Sequence, residues 1–483
     1  MQKYCWYILF ILVAACSQSG QQSENATNAS GDSTHIEAAD LYATNCAGCH
    51  GTDLGGNSAT TLIKDDWRYG RTRGLMFRNV KFGIDQTEMA GFANLLSDKQ
   101  ISSVVDYIWE MQDNPMDRKV VIPDFIKTEH YRIKIDQMGA EDLEVPWSIE
   151  FVDENTALIS EKKGQLRWLV NGELDPTPIS GTSKTHTGTS TGGYMDLALD
   201  PDYKTNGWVY LAYSHSEANY EDDTEPAITA VIRGRIREHQ WVDEQVLFLA
   251  PDSLWVTKGN RWGCRLLFDQ NEHLYFSIGD MARDMDSQDP GKVCGKIYRI
   301  NADGSIPADN PFVNSEGALQ AIFSLGNRNV QGFSVHPETK EIWFSEHGPM
   351  GGDEINVLSN GANYGWPVIT YGKDYSGEVV STKTHQPGME QPVHQWTPSI
   401  GICPIEFVES DQFSSWKNNL LVGALAFEEL QRLEIEGNAI VRSEMLLKGM
   451  GRVRDIKTAP DGSIYVVLNS PDLILKLRAV DAS

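Results

Sequence analysis

Five residues near the start of the chain, Cys46-Ala47-Gly48-Cys49-His50, have the types and spacing for one particular chemistry. Two thiols separated by two residues can add to the vinyl groups of a porphyrin, and the imidazole that follows is then held beneath the iron. The motif predicts a covalently attached haem c. A structural zinc site would need two more ligands at matched spacing nearby, and the sequence offers none. The opposite face of the iron wants a thioether or a second imidazole. Met89, in Thr87-Glu88-Met89-Ala90-Gly91-Phe92, lies between helical segments and is the expected axial partner of His50. Met76 and Met111 are expected to pack in the core.

The elements that must hold such a haem are read from periodicity. Ala38 to Thr44 and Asp98 to Met111 carry helical spacing, the second with Ile101, Val104, Val105 and Ile108 on one face. Residues 35–115 resemble class I cytochromes c, whose methionine loop often reads M-P-x-F and whose last helix often follows L-S-D. Leu96-Ser97-Asp98 matches, while Ala90 stands where the proline is usual.

Upstream, Lys3 and the apolar run Tyr4 to Ala15 are too short to span a bilayer and have the form of an export signal. Val13-Ala14-Ala15-Cys16 resembles the bacterial lipobox. The resemblance implies that residues 1–15 are removed, that Cys16 is lipidated, and that the protein sits in the bacterial cell envelope, anchored to a membrane and facing the periplasm. Residues 16–34 are almost wholly small or polar and form a flexible tether. Lys and Arg total 41 against 67 Asp and Glu, a formal charge of -26, which excludes nucleic acid as a natural partner. The acidic stretch from Glu221 to Glu225 reads as a solvated loop. Cys264, Cys294 and Cys403 leave open one disulfide or a set of buried free thiols.

After a linker at 116–133, residues 134–480 change to short β-rich runs. A turn with Asp, Asn or Gly precedes apolar and aromatic alternation, as in Asp153-Glu154-Asn155 before Ala157-Leu158-Ile159, Asn271-Glu272 before Leu274-Tyr275-Phe276, and Asp461-Gly462 before Ile464-Tyr465-Val466. Recurrence of this unit predicts a β-propeller. Five motifs then carry a resemblance, in order: Leu325-Gly326-Asn327-Arg328-Asn329-Val330-Gln331-Gly332, Ser345-Glu346-His347-Gly348-Pro349, Gly352-Asp353-Glu354-Ile355-Asn356, Ala362-Asn363-Tyr364-Gly365-Trp366-Pro367 and Gly451-Arg452-Val453-Arg454-Asp455. From Val145 to the end the chain resembles the quinoprotein glucose and sorbosone dehydrogenases. That implies a multidomain protein, a small all-α cytochrome c domain followed by an all-β six-bladed propeller holding pyrroloquinoline quinone (PQQ) and calcium. A tricarboxylated quinone suits guanidinium groups, and the resemblance assigns Arg328, Asn329, Arg452 and Arg454 to it. It assigns the backbone carbonyls of Gly348 and Pro349 to calcium, with Asp353 and Glu354 either further ligands or a surface pair.

One departure stands at the chemistry itself. The family's general base is the histidine of H-x-G-x-R, and the corresponding run is Arg261-Trp262-Gly263-Cys264-Arg265. Arginine stays protonated and cannot take a substrate proton, so the catalytic base is unassigned, with His186 and His347 as possible replacements. Thr191, Ala426 and Met281 also depart from the family's usual glutamine, lysine and polar residue. Two function classes follow. One is a membrane-tethered dehydrogenase that oxidises an aldose or other alcohol at PQQ and passes electrons to its own haem, then to an acceptor such as another cytochrome or an oxidase. The other is a non-catalytic propeller binding a glycan or a protein, fused to an electron-transfer cytochrome. Loss of the histidine favours the second, and retention of the arginines and the Gly348-Pro349 loop favours the first.

Overall fold

The computed structural model describes residues 38–50, 54, 62, 73–84, 89–111, 122–139, 142–188, 191–218, 220–374, 378–397 and 399–480. The leader, Cys16 and the tether lie outside them. The chain divides into two compact units, one formed by residues up to 63 together with 77–112 and the other by the rest. None of the described helices is long and apolar enough to cross a membrane.

The smaller unit is helical. Residues 38–45 form a helix that runs into Ala47–His50, and Arg73–Phe82 and Asp98–Met111 follow. Ser97 opens the last helix with a capping box: its hydroxyl accepts from the Gln100 N–H, and the Gln100 side chain accepts from the Ser97 N–H at 3.0 Å. The face Ile101, Val104, Val105, Ile108 is buried as its spacing predicts. Tyr42 packs against Tyr107 of this helix, with ring centroids 5.6 Å apart. Met76 is buried, but Met111, expected in the core, ends the helix 47 % exposed because the final turn runs past the apolar face that Ile108 closes.

The larger unit is the propeller. Among the described residues its strands form six sheets, five of four strands and one of five. Asp carboxylates shape the turns: Asp153 accepts from the Asn155 N–H at 2.8 Å, Asp269 from Asn271 at 2.8 Å, and Asp461 from Ser463 at 2.9 Å. The first strand of each sheet, Pro146–Phe151, Tyr194–Leu199, Leu266–Phe268, Val330–Val335, Ile402–Phe407 and Arg452–Thr458, touches the first strand of the next, and Arg452–Thr458 touches Pro146–Phe151, so the ring is closed. The apolar core lies between blades; Trp343 and Ile355 of one, for example, pack with Ile402, Ile405 and Phe407 of the next.

The sixth sheet is made from both ends of this unit. Arg132–Met138 pairs antiparallel with Leu473–Val480, from Arg132 opposite Val480 to Met138 opposite Ile474. Phe125–Lys127 adds an outer strand against Arg132–Met138. The stretch 116–133, read from sequence as a linker, therefore includes part of the propeller; three strand residues with little burial contrast leave no alternation to read.

Buried at the axis is Arg265. Its Nη1 lies 3.1 Å from Asp196 and 3.0 Å from Asp455, its Nε donates to the Gln331 carbonyl at 2.7 Å, and its Nη2 lies 3.7 Å from the Cys403 sulfur. Asp455 in turn accepts from the Ile149 N–H at 3.0 Å. One guanidinium thus ties the inner strands of all six blades, with both neighbouring carboxylates hydrogen-bonded, as a buried ion pair requires.

Candidate functional site

In the helical unit, Cys46, Cys49 and His50 fall on consecutive helical turns, with the Cys49 and His50 N–H groups donating to the Cys46 carbonyl at 3.2 and 3.0 Å. Cys46 is buried and Cys49 exposed. Burial and the neighbouring Cys49 push the Cys46 thiol up to about 11, so as a free residue it is a neutral thiol. Met89 is pinned to the end of the helix Arg73–Phe82: its carbonyl accepts from the Ile84 N–H at 3.0 Å, and Ala90 bridges to Gly83. The loop is anchored, which an axial ligand needs.

In the propeller, the predicted arginines converge. Asn327-Arg328-Asn329 lies where the third blade passes into the fourth. Glu346 fixes it by accepting from the Arg328 N–H and, at 2.8 Å, from the Asn327 side chain. The Arg328 guanidinium donates to the Gly348 carbonyl at 2.7 Å and lies 5.2 Å from the Trp366 ring centre. Arg454 lies 4.1 Å from the Trp147 ring centre and donates to Asn469 at 3.1 Å; Arg452 donates to the Leu425 carbonyl at 3.1 Å. Burial, then Arg452 and Arg265, pull Arg454 down to about 10, and burial also lowers Arg452. Neither Arg452 nor Arg454 has a carboxylate within ion-pair distance among the described residues. Lys162, from the first blade, is lowered by burial and by both arginines, so it belongs to the same cluster. Sequence reasoning missed it, since nothing in Lys162-Lys163 distinguishes one lysine from the other.

His347 sits among these cations. Burial, Arg328 and Arg454 hold it down to about 3, its Nδ1 lies 3.3 Å from the Asn329 amide, and its buried Nε2 has no hydrogen-bond partner among the described residues. A buried, unmatched ring nitrogen beside clustered guanidiniums fits an anionic, hydrogen-bonding ligand such as a quinone tricarboxylate. Of the two histidines put forward from sequence, His347 lies within the cationic cluster, and His186 is buried, lowered by that burial, and packed against Trp262, ring centroids 5.7 Å apart.

The Gly348-Pro349 loop is bound on both sides. The Gly348 carbonyl takes Arg328, and the Pro349 carbonyl takes the Ser399 hydroxyl at 3.0 Å, each leaving a second lone pair. The two oxygens of Asp353 accept from the Gly348 and Ile402 N–H groups at 2.9 and 2.8 Å, which braces the loop. Glu354 is pushed up to about 8 by burial and by Glu346, and accepts from the Asn356 side chain at 3.2 Å. Neither belongs to a cluster of His, Cys, Asp or Glu ligands among the described residues. Cys264, Cys294 and Cys403 are free buried thiols.

Arg261 adds no net positive charge to this cluster. Its Nε lies 2.5 Å from Asp280 and its Nη2 2.9 Å from Asp284. Asp280 also accepts from the Trp366 indole at 2.8 Å, and its N–H donates to the Arg328 carbonyl at 2.8 Å, which links this ion pair to the arginine cluster. Left-handed backbone gathers here, at Arg261 (φ 59°), Met281 (φ 50°) and Ala282 (φ 61°), conformations that cost non-glycine residues free energy and concentrate at functional sites. Gly279 is obligatory, because a Cβ there would fall 1.8 Å from the Arg261 carbonyl oxygen.

Comparison with known proteins agrees with this geometry. Residues 143–476 match the glucose/sorbosone dehydrogenase family model, and residues 35–108 match that of cytochrome c oxidase, cbb3-type, subunit III. An aldose sugar dehydrogenase of Escherichia coli is 34 % identical over 333 residues, 68 % of this chain and 88 % of the relative. The quinoprotein glucose dehydrogenase B of Acinetobacter calcoaceticus is 25 % identical over 377 residues, 61 % of this chain and 78 % of the relative. A solved glucose dehydrogenase superposes with a TM-score of 0.66 at 35 % identity, covering 72 % of this chain and all of that structure. With the arginine cluster, the closed six-bladed ring and the haem motif in place, the chain belongs to the glucose/sorbosone dehydrogenase family and carries a cytochrome c domain at its N-terminal side.

Proposed function

We propose that the protein is a quinohaemoprotein dehydrogenase that oxidises an aldose at PQQ and passes the electrons to its own haem c. The observation that carries this reading is the cluster of Arg328, Arg452, Arg454 and Lys162, with Arg452 and Arg454 lacking carboxylate partners: cations gathered in a buried place repel one another unless an anion joins them. When bound, PQQ supplies a two-electron oxidant. Arg452 and Arg454 hold its carboxylates, Arg328 and Asn329 orient it, and the second lone pairs of the Gly348 and Pro349 carbonyls take calcium. The haem offers a one-electron outlet at high effective concentration because both cofactors are carried by one chain. Cys16 carries the lipid anchor, in the cell envelope, and a further cytochrome or an oxidase takes the electrons.

Titrating the calcium-loaded full chain with PQQ, then adding a panel of aldoses, tests this: binding followed by sugar-dependent haem reduction is expected. A chain that binds no PQQ is instead the non-catalytic propeller, a reading favoured by one observation, the arginine at the position of the family's base.

A further inference from the structure

We propose that Asp284 accepts the proton of the substrate hydroxyl and that Arg261 is the residue that positions it, a division of labour that replaces the family's histidine. The inference rests on the quinone-dependent reading above. Its starting point is the ion pair Asp280–Arg261–Asp284, whose members differ in what they can still do. Asp280 is fully buried and committed, since its oxygens accept from Arg261, from the Ala282 N–H at 3.1 Å and from the Trp366 indole at 2.8 Å. Asp284 is held by Arg261 at 2.9 Å, yet its side chain is 45 % exposed and can meet a substrate arriving from solvent. It opens the short helical turn Asp284–Gln288, which stands on the buried ammonium of Lys296 through the Asp286 and Ser287 carbonyls.

The surroundings suit a base. Partial burial and the Asp280 carboxyl raise Asp284 above the ordinary aspartate value, while Arg261 and Arg328 oppose that rise; among the described residues these are the charged groups that act on it most. Arg328 is also the link to the quinone's place, so Asp284 stands within the field of a residue assigned to the cofactor. Other titratable groups of the site are ruled out by the same criteria. His347 is set against the Asn329 amide at 3.3 Å among the cofactor-assigned arginines, and Glu346 is occupied by the Arg328 N–H and the Asn327 side chain. In the reaction, the hydroxyl proton moves to the Asp284 carboxylate as the carbinol C–H departs with its electron pair to the quinone. The C–O bond becomes C=O, and Asp284 returns the proton to water. Arg261 keeps Asp284 ionised and aimed, which is how an arginine in the base's place can serve catalysis without accepting a proton.

The test uses the full chain loaded with haem, PQQ and calcium. Asp284→Asn should lower kcat by about 100-fold or more, in the range for loss of a general base. KM and PQQ affinity, read by absorbance titration, should stay within about threefold, and Asp284→Glu should recover part of the rate. Arg261→Gln removes the cation that favours the carboxylate, so it should move the acid limb of the kcat profile to higher pH. The same upward move should appear in carboxyl NMR titration of the PQQ-free protein, with the Asp284 signal identified by its loss in Asp284→Asn. A PQQ-binding Asp284→Asn enzyme with near wild-type kcat, or an unmoved limb and NMR signal in Arg261→Gln, overturns the proposal and leaves the dehydrogenase reading standing. A wild-type chain that binds no PQQ overturns both.

Discussion

Burial and the guanidinium groups of Arg328 and Arg454 keep His347 neutral down to about pH 3, against 6.5 for a free imidazole. Between those values the unfolded chain binds a proton that the folded chain refuses, so stability falls as pH drops from about 6.5 toward about 3. The melting temperature of the PQQ-free protein should decline over that range, and His347→Gln should flatten the decline. The arginines answer to a different measurement. Charge-assisted hydrogen bonds contribute about 1.5–3 kcal/mol each, so Arg452→Ala should weaken PQQ binding by roughly 10- to 100-fold in a calorimetric titration. At the haem, Met89→Ala should abolish the sulfur-to-iron charge-transfer band at the red end of the visible spectrum; an unchanged band moves the axial assignment to another residue.

Among elements, the segment from Asp284 to Cys294 is gathered around a single side chain. Lys296 is fully buried and donates to the carbonyls of Asp286, Ser287 and Cys294 at 2.7, 3.1 and 2.7 Å. Lys296→Met removes three hydrogen bonds, and although the Asp286 and Ser287 carbonyls keep the Asp289 and Gly326 N–H groups, the Cys294 carbonyl loses its donor, so the change should cost about 1–3 kcal/mol, seen as a lower denaturant midpoint. Sequence reading reached some elements and not others for physical reasons. The helix Asp98–Met111 was legible because its apolar positions repeat at the helical period, and the Asp-led turns because an Asp side chain mimics a backbone acceptor. Asp284 was not, because its surroundings come from Arg261, 23 positions away on another loop, and a carboxylate in a loop carries no mark of its neighbours. The strand Arg132–Met138 took its place from a partner at the far end of the chain, a relation that no local pattern encodes, and Phe125–Lys127 was placed by that strand in turn.

For the molecule as a whole, the ring is closed by hydrogen bonds between Arg132–Met138 and Leu473–Val480, reinforced by the ion pair of Arg478 with Asp136. Leu475 is completely buried in this seam, and Leu475→Asp places an unpaired charge there. Unfolding should then lose cooperativity or shift by 10 °C or more, on the order expected for a buried-charge defect. Haem spectra should persist if the helical unit keeps its fold.

That seam also sets an order of birth. Made from the N-terminal end, the chain completes the CxxCH segment long before Leu473–Val480, the strand that shuts the propeller, and pairings of such long sequence separation are slow to form. Arg328 and the Arg452–Arg454 pair come from blades built at different times, so the anion cradle does not exist until the ring is shut. In the quinohaemoprotein reading, haem attachment can therefore precede closure of the propeller, while quinone capture has to wait until the ring has shut.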